Sequence, residues 1–402
     1  MKHLNIIFRA CILAISLSLT GSTTAQNKPQ TAIPAMDSVA ISLITCGPGQ
    51  EVYSLYGHTA IRFHDKARGQ DIAINYGMFS FHQKFFILRF VFGLTDYEMG
   101  IAPFDYFLEA YKQEGRWVRE QTLNLTNEEK WAISQAIDEN YRPENRVYRY
   151  NYFYDNCTTR ARDMIVSHLT GRVHYEDEGE SHASFRSMIH QWNGYARWSR
   201  LGNDLLLGVK ADLPTNRSER QFLPDTLSHD FDHATIVDRH GHKRPLVLSN
   251  EMLYSPAMVI STPAFPYSPA YCAWMLFAFV VGVILLESYT HKLYWGVDAI
   301  LLTADGIAGL ILLAMVFSQH PTVSLNFQIL LLCPLTLVFA YPVTKQLRKR
   351  QFHSYLSTMA GLITLTMILG YWQHYDTAIY IVALSLLTRI LALRMWCKYR
   401  IK

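Results

Sequence analysis

Cys157 stands between an aromatic run and a helix-forming segment in "YNYFYDNCTTRARDMIVSHL", residues 150–169. A cysteine in the first turn of a helix feels unsatisfied backbone N–H groups and the positive end of the macrodipole, both of which favour the thiolate. Arg160, one turn on, would add to that field. A thiolate nucleophile needs a base, and the strand-forming stretch "GHTAIRFHD" offers His58 and His64 on one face. His58 follows Gly57 at the strand's start, near a sheet end, and is the better placed; His64 sits beside a hairpin turn, where it is solvated. A third polar group should hold the imidazole through its other nitrogen and fix the tautomer. Asn75 on the next strand is the candidate, with Glu51 in the preceding loop as its rival. Two other uses of Cys157 compete with chemistry: packing in a core, and a disulfide with Cys46.

These residues need elements to hold them. "DSVAISLITC" (37–46) alternates as a strand, and "GPGQE" follows as a turn-rich loop. In the next strand Thr59, Ile61 and Phe63 point one way, and His58, Ala60, Arg62 and His64 the other. "DIAINYG" pairs back after the polar loop "KARGQ", bringing Ala73 and Asn75 onto the face of His58 if the register allows. A further strand, "GRWVREQTLNL", leads to an amphipathic helix from residue 126, where Thr126 and Glu129 have capping-box spacing. "RVYRYNYFYDN" is β-prone, its aromatics suited to a sheet core or a membrane interface rather than to stacking on a ligand. In the helix that follows, residues 157, 161, 164, 165 and 168 share one packed face. From 171 to 270 the signals weaken into loops with short helix or strand candidates.

Both ends of the chain speak of a membrane. Residues 1–25 carry a short basic start (Lys2, Arg9), an apolar core and the small-residue run "LTGSTTAQ", and read as a cleaved signal peptide. From Tyr271 onward five apolar runs follow, near 271–288, 296–317, 327–343, 355–372 and 377–395, each close to the ~20 residues a spanning helix needs. The loop "VTKQLRKRQ" and the tail "RMWCKYRIK" are basic, whereas "SQHPTVSLN" and "YWQHYDT" lack Lys and Arg, and the two kinds alternate. With the basic segments inside, the C-terminus is cytoplasmic and residues 26–270 form a periplasmic domain on an inner-membrane anchor, 271–402. The net charge of +4 belongs largely to this orientation and calls for no nucleic-acid partner. Of six cysteines only Cys46 and Cys157 fall in the exported part.

The stretches "TCGPGQEVYSLYGHTAIRFHD", "INYGMFSF" and "YDNCTTR" closely resemble the exported domain of the Lnb family of Bacteroidetes lipoprotein N-acyltransferases, which also continues into a C-terminal membrane domain. The resemblance runs from about residue 37 to the end of the chain. Its order, histidine before cysteine with "NC" opening a helix, is similar to that of permuted NlpC/P60 folds of papain type, lecithin–retinol acyltransferase among them. The resemblance implies an α+β exported domain of that kind before an all-α domain of five transmembrane helices. It implies Cys157 as nucleophile and His58 as base, a phospholipid acyl donor, a diacylated lipoprotein acceptor and no cofactor or metal; Asn75 remains an inference from strand pairing. The helix start would supply backbone N–H groups to an oxyanion.

The rival activity is a cysteine peptidase or amidase of cell-wall peptides, which the same fold also supports, although no wall-binding module is visible. A non-enzymatic exported module would keep the fold and dispense with the thiol; a Cys46–Cys157 disulfide would favour it. In the membrane region Asp298 falls near an interface, where solvation would account for it, and Asp305 lies deeper, where a carboxylate needs a structural partner. His320 and Asn326 in "SQHPTVSLN" are placed to meet head groups. "SHDFDHATIVDRHGHK" has the composition of a metal site through His229, His233, His240 and His242, but no known ligand spacing.

Overall fold

The structure, a computed structural model, describes residues 35–79, 84–176, 182–257 and 265–398. The expected signal segment lies outside the described residues. Residues 36–402 form one compact unit.

The chain first lays down β1 (Val39–Cys46), β2 (His58–Asp65) and β3 (Gln70–Met78), then α1 (Phe86–Val91), β4 (Asp96–Pro103), α2 (Phe104–Gln113) and β5 (Val118–Leu123). It continues with α3 (Asn127–Tyr141), β6 (Val147–Arg149), α4 (Cys157–Val166), β7 (Arg172–His174), α5 (Phe185–Trp192), α6 (Arg197–Leu206) and the single turn α7 (Arg217–Arg220). After α8 (Pro224–Asp232) come β8 (Thr235–Val237), β9 (Lys243–Pro245) and β10 (Val247–Tyr254). Seven strands form one sheet in the order β10-β5-β1-β2-β3-β4-β6, with neighbours antiparallel throughout.

Alternation along β1 and β2 feeds two cores. Ile41, Leu43, Ile61 and Phe63 turn toward Ile133 and Ile137 of α3, Ala161 and Ile165 of α4, and Leu227 and Phe231 of α8. Ile44, Cys46, Ala60 and Ala73 turn the other way, against Phe104 and Phe107 of α2. Each of the Ile, Leu and Phe side chains contributes roughly 1.5–3 kcal/mol by leaving water, so the sheet is clamped from both faces. Thr126 and Glu129 close the expected capping box at the start of α3. The region 171–270 is more regular than its sequence suggests: among its described residues it holds four α-helices, a 3-10 turn and four strands. β10, whose exposed face hides its period, pairs with β5 and extends the sheet.

Five helices complete the chain: α9 (Pro269–Thr290), α10 (Trp295–Val316), α11 (Leu335–Arg348), α12 (Tyr355–Leu369) and α13 (Thr377–Lys398). With the 3-10 turn Phe327–Leu330 leading into α11, four segments among the described residues are long and apolar enough to cross a membrane; α12, with 15 residues, is shorter. Arg389 of α13 joins Glu287 of α9 and Asp298 of α10, with Nε to Asp298 Oδ1 at 2.7 Å and one Nη to Glu287 Oε1 at 2.8 Å, all three residues buried. Asp298 is therefore no solvated interfacial acid: it is half of the anionic partner of a buried guanidinium. Asp305 is also buried and accepts the Cys333 N–H at 3.4 Å, where Gly306 and Gly309 let the backbone around Cys333–Leu337 come close.

The two parts meet through buried polar contacts. The Gly208 N–H donates to Thr322 O at 2.8 Å, and a side chain at Gly208 would collide with Leu325 O. Gln328 donates to Asp204 O (2.8 Å), Gln373 to Leu207 O (3.0 Å) and Asn326 to Leu205 O (2.7 Å). Asn326 is thus committed to this joint rather than to head groups, and His320 lies against Phe90 of the sheet-bearing part. Beneath the joint the buried Arg186 binds Asp204 and Asp212, both at 2.8 Å. Removing one partner from such a buried set costs about 3–5 kcal/mol, so the joint is a seat rather than a tether.

Candidate active site

Gly57 starts the site. Its φ is +83°, and a Cβ there would stand 2.6 Å from Cys46 O, so only glycine lets the chain turn directly into β2. The next residue, His58, lies opposite Cys46 on β1. The β2–β3 register places Asn75 across from Ala60, two residues along from His58 on the same face. From there the Asn75 amide oxygen reaches His58 Nε2 at 3.1 Å. An amide oxygen only accepts, so the imidazole carries its proton on Nε2 in this contact and leaves Nδ1 for another partner. The Tyr111 ring of α2 lies parallel to the imidazole, centroids 6.4 Å apart.

Asn156 fixes the start of α4. Its side-chain oxygen accepts from the Thr158 and Thr159 N–H groups, both at 2.9 Å, while its amide nitrogen donates to Tyr152 O and Phe222 O at the same distance. Such a cap contributes typically ~1 kcal/mol, and here it also locks the residue before Cys157. It has a chemical cost as well: two of the N–H groups expected to face an oxyanion are taken. Among the described residues the N–H of Cys157 has no acceptor. A hydrogen bond of 3.1 Å between the Thr59 and Thr158 hydroxyls ties β2 to α4 and brings histidine and cysteine together.

A bulge in β3 opens the remaining side. The β3–β4 register slips between Asn75 and Met78, and Gly77 in the slip has φ +87°. A Cβ on Gly77 would lie 3.8 Å from Cys157 Cβ, 3.8 Å from a Tyr150 ring carbon and 3.9 Å from Tyr148 Oη. The missing side chain leaves a gap bounded by the thiol-bearing residue and the phenol. Tyr148 is only 7% exposed, yet its hydroxyl has no hydrogen-bond partner among the described residues. A buried hydroxyl without a partner costs about 1–3 kcal/mol, so its place beside the thiol asks for a chemical reason. Burial pushes this phenol's pKa up, with the Cys157 charge adding to the effect, so it stays a proton donor.

The electrostatics couple cysteine and histidine. Burial alone would raise the Cys157 thiol; the charge and hydrogen bond of His58, with the Thr59 N–H and Thr158 hydroxyl, overcome that and bring it down to about 7. Burial pushes His58 the other way, toward the neutral ring, but Cys157 and Asn75 outweigh it and its pKa ends above the usual value. The two shifts have opposite signs because each group stabilises the other's charge, the pattern of a thiolate–imidazolium pair.

Other sequence candidates fall elsewhere. His64 sits toward the far end of β2, opposite Ala40 and Asp71, and Glu51 is exposed at the head of the 3-10 turn Val52–Ser54. Arg160 is held by Asp155 at 2.6 and 2.8 Å and lies over the Tyr148 ring, 3.5 Å from its centroid; it braces that ring instead of facing the thiol. Cys46 and Cys157 are both free thiols, and burial pushes the Cys46 pKa up, which keeps it protonated and inert. His229 and His233 lie at the end of α8, and His242 pairs with Asp238 in a turn; among the described residues no three metal-ligating side chains gather. Tyr148 and Gly77 escaped the sequence reading, although the alternation of "RVYRY" puts Tyr148 and Tyr150 on one strand face.

Two family models match this chain. One, described as the Lnb N-terminal periplasmic domain, covers residues 25–191, and the other, described as the Lnb transmembrane domain, covers residues 261–400. No curated protein and no solved structure matches it.

Proposed function

The chain belongs to the Lnb family, whose periplasmic and transmembrane domains it carries in that order, and from that premise we propose that it is a thiol-dependent lipoprotein N-acyltransferase. The observation that carries the reading is the geometry that brings Cys157, at the start of α4, to His58 on β2 through the Thr59–Thr158 bond, with Asn75 on the imidazole. In the first half-reaction the Cys157 thiolate attacks the ester carbonyl of a phospholipid. The carbonyl oxygen becomes an oxyanion, which the Cys157 N–H and the Tyr148 hydroxyl are placed to receive. The C–O bond then breaks, the lysophospholipid alkoxide takes the proton of His58, and the acyl chain stays on Cys157 as a thioester.

In the second half-reaction the α-amine of a diacylglyceryl-cysteine attacks the thioester carbonyl. His58 takes the amine proton, the C–S bond breaks, and an amide forms as the thiolate returns. Asn75 keeps the imidazole in register through both steps, and the electron count closes without a cofactor. The antiparallel sheet, with histidine on β2 and cysteine opening α4, suits the permuted NlpC/P60 order. We take the short α12 to cross the bilayer with the other four, since the loop after it touches Asp212 and Leu207 while Arg350 before it touches His291 at the opposite end. On that reading the C-terminus lies in the cytoplasm and the enzyme faces the periplasm from the inner membrane.

A peptidase could use the same trio; what favours a lipid substrate is the rigid seat on the membrane domain. The test is mass spectrometry of a lipoprotein N-terminus in cells whose only copy carries Cys157→Ala. The expected result is loss of the third acyl chain. Persistence of N-acylation at the wild-type level would remove the mechanism.

A further inference from the structure

The segment around α1 is out of place for a surface that meets only water. Phe85, capping the start of the six-residue α1, and Leu88 and Phe90 within it are 76%, 57% and 48% exposed. Phe85 holds a left-handed backbone, φ 57°, which an aromatic residue adopts at a cost. Its height relative to the bilayer follows from its neighbours. Phe92 O accepts the Gln319 N–H at 3.0 Å, and Gly93, with φ +66°, allows Gln319 and His320 to come within 3.2 Å of where a Cβ would stand. Gln319 lies three residues past the end of α10, just after the exposed Phe317. The other loop at that end carries exposed Tyr371 and Trp372. Exposed aromatics at the ends of spanning helices mark the bilayer interface, and α1 is bonded to that level.

Arg89 of α1 pairs with Asp96 at the start of β4, and an aromatic cluster on and beside β4 continues to the gap beside the thiol. β4 follows α1, and its Tyr97 stacks on Tyr150 with centroids 4.2 Å apart, Tyr150 being one wall of the Gly77 gap. Phe79 lies 5.0 Å from Tyr97 and 5.8 Å from Tyr53, centroid to centroid, and Tyr53 and Met78 are exposed at its rim. Cations accompany the apolar residues: Lys84 is exposed, and Arg89 and Arg149 share the single Asp96. An apolar face with basic residues beside it is the chemistry of a surface resting among acyl chains under phosphate head groups.

We propose that α1, through Phe85, Leu88 and Phe90, is seated in the outer leaflet of the bilayer and forms the entry by which lipid acyl chains pass to the gap beside Cys157. The first half of this stands on geometry alone; the second rests on the acyl-transfer reading. The experiment reconstitutes the full chain in nanodiscs containing a phospholipid with a photoactivatable diazirine on its acyl chain, and maps labelled peptides by mass spectrometry. The peptide containing residues 84–93 should label at the level of the α9 and α10 peptides. Labelling no higher than that of α3, which packs against the sheet through Ile133 and Ile137, would overturn the proposal.

A Phe85→Ser, Leu88→Ser, Phe90→Ser variant tests the entry. Thioester formation at Cys157 from nanodisc phospholipid should fall about tenfold or more, because three large apolar groups lose their transfer free energy into lipid. Alkylation of Cys157 by iodoacetamide should stay within about twofold of wild type, since the thiol's environment is untouched. Unchanged acylation, or equal loss of acylation and alkylation, would overturn the entry role. Photolabelling needs no turnover, so a wild-type protein that never forms a thioester would sink the acyltransferase reading and leave the membrane contact measurable.

Discussion

Tyr148→Phe separates chemistry from stability more cleanly than any other change at this site. The substitution removes one oxygen and leaves the ring, which keeps the Arg160 guanidinium at 3.5 Å and the Tyr76 ring at 6.4 Å. The hydroxyl that goes is buried and has no partner among the described residues, so the folded protein loses a desolvation penalty of about 1–3 kcal/mol. The variant should unfold at the same temperature as wild type or a higher one. Its acylation should fall by roughly 10²–10³, the usual effect of deleting one oxyanion donor, or about 2.7–4 kcal/mol of transition-state stabilisation. Intact-mass measurement of acyl-Cys157 formation in nanodiscs gives the rate, and a thermal melt gives the stability. A rate within about threefold of wild type would refute the donor role. A rate loss matched by a drop in melting temperature would show that the hydroxyl serves the fold.

Three further outcomes follow from the same geometry. The Cys157 thiolate should persist down to about pH 7 and be lost below it, so the iodoacetamide rate rises through about that pH; in His58→Ala, where the Thr59 N–H and Thr158 hydroxyl alone oppose the raising effect of burial, the inflection should move upward, and identical profiles would contradict the ion pair. Asn75→Ala removes the 3.1 Å bond to His58 and should slow acylation about tenfold or more, as losses of orienting partners do, with Asn75→Gln failing to rescue because its amide reaches further; acylation at the wild-type rate would rule out the orienting role. Gly57→Ala forces a side chain onto φ +83° and against Cys46 O, a strain of about 1–3 kcal/mol, so its melting temperature should fall; an unchanged melt would mean the β2 entry relaxes freely.

The trio of Cys157, His58 and Asn75 could be put together from the sequence because strands alternate and because a helix start after "YDN" has few readings. The contact between Asn75 and His58 depended on register, which alternation alone leaves open; the structure supplies it as Ala60 opposite Asn75. The donors proposed for the oxyanion were not legible. A sequence advertises the N–H groups of a helix start, but only coordinates reveal that Asn156 consumes two of them and that a bulge at Gly77 opens toward Tyr148. Asp298 misled for a related reason: its partner Arg389 is 91 residues away, and intramembrane pairs have no local signature. β10 carries mostly exposed residues, so its pairing with β5 reflects backbone hydrogen bonds that side-chain pattern does not encode.

The buried cluster of Glu287, Asp298 and Arg389 has a consequence for how the molecule is made. Synthesis delivers the two acids first, on α9 and α10, and the guanidinium that answers them 102 residues after Glu287. An acid left without a partner in a membrane helix is costly to bury, so the first hairpin is poorly settled while the ribosome is still working. The last helix closes that account by docking between helices already in place. A chain cut short before residue 389 would expose mismatched charge within the bilayer, the kind of defect that membrane proteases can recognise, whereas a full-length chain hides it. Completion of the polypeptide and burial of its charges are thus the same event.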